Sequence, residues 1–132
     1  MFYRQFYSEL GKLLFGLANV DGSISNKERE ALKQLVKTEL APSEKHTDKF
    51  GTDAAYYTEM EFDILEDTMM DPEQAFDSFL FFIENHHSAI DDRMRQVTLK
   101  VAKKLADKYH RTSKKEKEFI KKLEAKLNLL PV

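Results

Sequence analysis

The chain has 132 residues with a formal net charge of −2, and 42% of them are hydrophobic, which predicts one globular domain spanning 1–132. The absence of cysteine excludes disulfide bonds, thiolate zinc sites and catalytic thiols. The longest dense apolar stretch, 79–83, is far shorter than the roughly 20 residues that span a bilayer, and residues 1–17 lack the pattern of a signal peptide, so we expect a cytoplasmic protein without an integral membrane segment.

The first two predicted helices are joined by a tight turn. Apolar residues recur at helical spacing over 2–19, and the turn follows at 20–24. Ser25 is the expected N-cap of a second helix, which the apolar pattern carries to residue 40. The polar residues 41–52 that follow predict a loop.

The middle of the chain predicts two more helices. The third extends over 53–68, and its periodicity places these side chains inward: Tyr56, Met60, Phe62 and Ile64. The fourth begins at Asp71-Pro72, because a capping Asp followed by Pro marks the start of a helix. This fourth helix carries the most hydrophobic stretch of the chain, so we expect the other helices to pack around it.

The last two predicted helices are rich in lysine. The fifth begins at Asp91 or Asp92 and reaches Tyr109, and the sixth follows Ser113 and extends to about Leu127. The connections are short, which implies that neighbouring helices are antiparallel. No segment alternates with a period of two, so we expect no sheet. The sequence thus predicts an all-α fold, a single compact helical domain of about six helices.

A repeat at an offset of 88 residues links the two ends of the chain. Each copy reads as a helix end, a turn and a capping box, formed by Ser25 with Glu28 and by Ser113 with Glu116. A fixed offset predicts a two-fold pseudo-repeat. Only the first copy has Asp-Gly in its turn, so we do not expect the two halves to share a ligand.

The turn of the first copy is a candidate cation site. The stretch 19–28 resembles the later part of an EF-hand loop, with Asp21 and Glu28 as carboxylate ligands and Gly22 at the sharp turn. Leu17 occupies the place of the first ligand and cannot bind a cation, which predicts weak binding. The alternative is architectural, since an Asp-Gly turn and a capping box account for the same residues.

The turn also carries a resemblance to a known family. A helix that ends in Ala-x-x-Asp-Gly, followed by Ser-x-x-Glu, resembles the tellurite-resistance TerB-like family over residues 13–36. The resemblance implies an all-helical domain with two related halves, often an accessory module in stress responses. Its acidic residues are suspected cation ligands, an idea that carries over here to Asp21 and Glu28.

Charge is distributed unevenly along the chain. Residues 50–92 contain 12 acidic residues and neither Lys nor Arg, whereas residues 93–132 contain 13 basic and 4 acidic residues. In one interpretation the acidic helices face the basic helices, so that the charges partly cancel within the domain. In the other, the charges form a surface dipole that attracts a cation or an anionic partner.

Other patterns favour architecture over chemistry. Glu84 and His87 have the spacing of half a di-iron motif, which needs a second copy that the chain lacks. The ten basic residues between 100 and 122 come without interleaved aromatic side chains or a binding motif, so we expect no nucleic-acid partner. No phosphate-binding glycine loop or nucleophile motif is present, which predicts that the chain is not an enzyme.

Two functional hypotheses follow. The leading one is a non-enzymatic TerB-like interaction module that binds a protein partner, requires no cofactor and holds Ca²⁺ or Mg²⁺ weakly at the Asp-Gly turn. The alternative is a dedicated divalent-metal binding protein that uses Asp21, Glu28 and acidic residues of the third helix.

Overall fold

A computed structural model describes residues 2–20, 24–40, 54–107 and 114–129, and within these ranges all regular structure is helical. The α-helices, in chain order, are α1 (Phe2–Asn19), α2 (Asn26–Leu35), α3 (Tyr56–Thr68), α4 (Pro72–Asn85), α5 (Asp92–Asp107) and α6 (Lys114–Leu129). A π-helical turn, Val36–Leu40, extends α2, and a 3₁₀ turn, His87–Ala89, follows α4. The predicted all-α class is confirmed. No helix in the described ranges is both long and apolar enough to cross a membrane.

Capping residues set the helix starts, as predicted. Ser25 Oγ accepts a hydrogen bond from Glu28 N (3.1 Å), and Glu28 Oε1 accepts one from Ser25 N (3.0 Å), which completes the first capping box. Asp71 Oδ2 accepts from the amide of Gln74 (3.1 Å) at the start of α4. Several predictions fall outside the described residues: Gly22 in the turn at 20–24, the loop 41–52, the helix start at Asp53, the helix end at Tyr109 and the cap at Ser113.

The central helix is α1, which corrects the prediction that α4 is central. α1 packs mainly on α3 and α4 and also contacts α5 and α6, whereas the main neighbours of α4 are α1 and α6. α1 is apolar around most of its circumference, which is typical of a core helix. Its buried hydrophobic side chains are Phe6, Tyr7, Leu10, Leu13, Leu14, Phe15, Leu17 and Ala18. The apolar stretch of α4 misled the prediction because it includes Phe81, which is 69% exposed.

Two glycines of α1 allow its neighbours to approach closely. A Cβ on Gly11 would lie 2.6 Å from the carbonyl oxygen of Thr58 in α3. A Cβ on Gly16 would lie equally close, 2.6 Å, to the carbonyl oxygen of Pro72 in α4. Real Cβ atoms do not approach backbone oxygens so closely, so each crossing requires glycine.

The directions of the neighbouring helices follow from their contacts with α1. Thr58 Oγ1 donates a buried hydrogen bond to Tyr7 O (2.7 Å), and the ring of Phe62 meets that of Phe15 with centroids 5.9 Å apart. α3 therefore runs parallel to α1. The start of α4 approaches Gly16 and its middle reaches Glu9, so α4 runs antiparallel to α1.

The basic helices α5 and α6 complete the fold beside α4 and α2. Phe119 of α6 packs on Phe76 of α4 with ring centroids 4.3 Å apart. Between described residues, one ion pair joins the acidic middle of the chain to the basic C-terminal segment, from Lys126 Nζ to Glu84 Oε2 (3.3 Å). Among the described residues, direct ion pairing between these two segments is therefore limited to one pair.

Candidate functional site

Of the two predicted cation ligands, Glu28 lies in the first turn of α2. Asp21 is outside the described residues, and Glu28 is 7% exposed with its Oε1 already bonded to the amide of Ser25. In the described part of the chain no group of three or more His, Asp or Glu side chains is placed to hold a metal ion. The cation site stays a prediction.

An amide NMR titration with Ca²⁺ and Mg²⁺ checks it, because a bound cation must shift the Glu28 resonance in a saturable way.

Glu84 and His87 both have structural roles at the end of α4. Glu84 forms the ion pair with Lys126, and His87 begins the 3₁₀ turn after α4. The neighbouring His86 stacks on the ring of Phe82 with centroids 4.4 Å apart, and its Nδ1 hydrogen-bonds the Phe82 carbonyl oxygen at 2.9 Å. These contacts match the architectural interpretation of the motif.

A cleft of about 520 Å³ lies where the ends of α1 and α3 meet the start of α4. Its walls are mostly apolar, with a few polar side chains among them. The lining residues are Phe15, Asn19, Val20, Ile24, Glu66, Met69, Met70, Asp71 and Pro72. Arg29 of α2 bonds Glu66 through Nε (2.6 Å) and Nη2, which fixes one wall. The bond to Glu66 also raises the pKa of Arg29.

The outer face of α3 combines two rows of side chains at i, i+4 spacing. It consists of six residues: Tyr56, Glu59, Met60, Asp63, Ile64 and Asp67. The apolar row contains Met60 and Ile64, which are 47% and 54% exposed, one turn after the half-buried Tyr56. The acidic row beside it is Glu59, Asp63 and Asp67. An exposed apolar row bordered by carboxylates is a surface suited to a partner that is apolar and basic.

This face corrects the prediction that Met60 and Ile64 point inward. The buried side of α3 is instead formed by Thr58, Phe62 and Leu65, so Phe62 was placed correctly. α3 carries two apolar stripes, and the helical period fits either of them. The hydrogen bond from Thr58 to α1 and the close crossing at Gly11 select the inner stripe. Sequence reasoning missed the outer face because it counted apolar spacing without these contacts.

The π-helical turn places a carboxylate against α5. Glu39 forms ion pairs with Lys100 Nζ at 2.8 Å and Lys104 Nζ at 2.7 Å. These two ammonium groups lower the pKa of Glu39 to about 2. The cluster links the π-helical turn at the end of α2 to α5. Its contribution to the free energy of unfolding depends on pH.

We expect Glu39→Gln to lower the free energy of unfolding by about 1 kcal/mol at pH 7, since the lysines are partly exposed and their attraction is screened. The pKa of Glu39 in the folded protein lies below its ordinary value of 4.5. The stabilisation is therefore complete above pH 4.5 and is lost as the pH falls toward 2. Urea unfolding across this range should show the difference from the unmodified protein vanish, whereas Glu30→Gln, at an exposed site on α2, should show no such trend. A difference that stays constant down to pH 2 would contradict the assignment.

Comparison with protein-family models, curated proteins and solved structures finds no match to this chain. The TerB-like resemblance thus stands on the motif around Asp21 and Glu28 alone.

Proposed function

We propose that this chain is a non-enzymatic interaction module of TerB-like type that binds a protein partner through the outer face of α3. The observation that carries the proposal is the pair of rows on that face, one apolar and one acidic. The partner is a helix with apolar side chains along one stripe and Lys or Arg beside it. Such a helix matches both rows at the same spacing.

The energetics of the outer face favour binding. Full burial of a Met or Ile side chain contributes about 1.5–3 kcal/mol, and Met60 and Ile64 each have about half of their surface left to bury. Like charges at i, i+4 destabilise a helix by roughly 0.2–0.5 kcal/mol per pair. The row Glu59, Asp63 and Asp67 contains two such pairs, and a basic partner would relieve that repulsion.

Burial at positions 88 residues apart supports the two-fold pseudo-repeat of the TerB-like proposal. All six buried residues of α5 have a buried counterpart in α1 at this offset, whereas Tyr7 and Phe15 of α1 fall on the less buried Arg95 and Lys103. The buried pairs are Phe6 with Met94, Leu10 with Thr98, Leu13 with Val101, Leu14 with Ala102, Leu17 with Leu105 and Ala18 with Ala106. Glu28 and Glu116, at equivalent positions in α2 and α6, are also both buried.

The test is the binding of a synthetic helical peptide that carries Leu on one stripe and Lys beside it, followed by amide NMR and calorimetry. We expect saturable shifts on the outer face of α3 and about tenfold weaker binding in Ile64→Ser, which corresponds to about 1.4 kcal/mol of lost burial. The matched control is Phe81→Ser, because Phe81 is a still more exposed apolar residue on α4. Equal losses in both variants, or shifts centred elsewhere, would overturn the proposal.

A further inference from the structure

We propose that the basic partner is α6 of a second copy of this chain, so that the protein self-associates by contact between the outer face of α3 and the outer face of α6. This inference rests on the proposed function, since it names the partner of the same α3 face. Three features carry it: the composition of α6, the match in spacing and the separation of the two faces within one chain.

The outer face of α6 is mainly basic, with the exposed Glu118 among its lysines, and it carries apolar side chains at one end. A row at i, i+4 spacing consists of Lys117, Lys121, Ala125 and Leu129, all exposed, with Leu129 at 80%. Four further α6 lysines flank or extend this row, and three of them are exposed: Lys114, Lys115 and Lys122. Between described residues, none of the five lysines from 114 to 122 forms an ion pair, in contrast to Lys126.

The outer faces of α3 and α6 are complementary in charge and in period. Both rows repeat every four residues, which is about 6 Å along a helix axis. Lysine ammonium groups can therefore meet successive carboxylates of the row that ends at Asp67, while the lysine methylene stems cover the apolar side chains of Met60 and Ile64. The exposed Leu129 adds a further apolar contact at the end of α6.

Within the described part of one chain, α3 and α6 are not main neighbours of each other. The main neighbours of α3 are α1 and the π-helical turn, and those of α6 are α5, α4 and α1. The net charge of the whole chain is only −2, so two copies do not repel strongly as bodies. Among the described residues no ion pair joins α3 to α6 within one copy, so the segregated charges can attract between copies.

The contact joins two different surfaces, so the assembly depends on whether two copies make it once or twice with each other. If each copy uses both faces against the same neighbour, the result is a closed dimer, and otherwise the copies add head to tail. A single helix-on-helix contact falls below the roughly 1,200 Å² of a standard interface, so we expect weak association that increases with protein concentration. The charges are exposed, so association should also weaken with added salt.

The experiment is sedimentation velocity of the full chain at increasing concentration in about 0.05 M and about 0.5 M salt. We expect dimers or larger species at low salt and monomers at high salt. Asp63→Lys and Lys121→Glu should each weaken association at least tenfold, because each places like charges opposite one another. An equimolar mixture of the two variants should associate again, since the new Lys then faces the new Glu.

Asp77→Lys is the matched control, because it makes the same charge change at an exposed position of α4 and should leave association intact. A protein that stays monomeric at every concentration and salt level would overturn the self-partner. If the Lys and Leu peptide still shifts α3 in that case, the proposed function stands and the partner is a different chain. If the peptide also fails to bind, the proposed function falls as well.

Discussion

Replacing Phe76 by Ala is expected to lower the free energy of unfolding by about 3–5 kcal/mol, the largest effect of any single substitution considered for this fold. Phe76 is 1% exposed, and its ring lies 4.3 Å, centroid to centroid, from that of Phe119. Its Cβ also lies at the crossing with Gly16. The truncation therefore opens a cavity where α1, α4 and α6 meet, and the surrounding helices can close it only in part.

Urea unfolding monitored by circular dichroism measures the loss, and a second aromatic residue on the same helix provides the control. Phe81 is 69% exposed, so Phe81→Ala should change the stability by less than about 0.5 kcal/mol. A double-mutant cycle with Phe119→Ala should show coupling, because the two rings share one contact. Similar losses at Phe76 and Phe81 would contradict the placement of α4 on α1 and α6.

Gly16→Ala is expected to destabilise the fold by about 1–3 kcal/mol, although Ala is the better helix former. Helix propensity alone would favour Ala over Gly by roughly 1 kcal/mol. The new Cβ would lie 2.6 Å from Pro72 O and 3.2 Å from Phe76 Cβ, so α4 would have to move away from α1. The steric cost exceeds the propensity gain because the obstacle is backbone rather than a flexible side chain.

Thermal unfolding should record this change as a lower Tm, by a few degrees per kcal/mol for a chain of this size. Gln5→Ala is a suitable reference, since Gln5 is exposed on the same helix and the substitution adds no contact. If Gly16→Ala instead raised the Tm, the gain in helix propensity would exceed the steric cost of the new Cβ. The backbones of α1 and α4 would then have to lie further apart at this crossing.

Local signals in the sequence were enough to predict the helices and most of their starts. Ser25 and Asp71 each bond the amide three residues on, as capping residues do, and the predicted bounds of the described helices agree closely with those observed. Caps and periodicity act over a few residues, so they can be identified without tertiary structure. The central position of α1 could not be identified in this way, because it depends on which apolar surfaces meet.

The candidate site was harder to predict for the same reason. The apolar row at Met60 and Ile64 has the helical period of a buried stripe, so sequence alone assigned it to the core. Its exposure follows from the competing contacts of Thr58 with Tyr7 and Gly11 of α1, which join residues 47 or more positions apart in the chain. The acidic row could be recognised in the sequence. Its proposed role in binding a partner that is apolar and basic depends on the exposed apolar row beside it.

The π-helical turn Val36–Leu40 has a consequence for how the length of this chain can vary. In an uninterrupted α-helix, residue 39 would follow Leu35 and Val36 on the buried side, but the wider turn brings Leu40 to the core and leaves Glu39 facing the lysines of α5. The turn therefore accommodates one additional residue without shifting the core positions before it. Deletion of Glu39 should therefore leave a regular helix with Leu40 on the buried side, at the expense of the ion pairs to Lys100 and Lys104 rather than of the core.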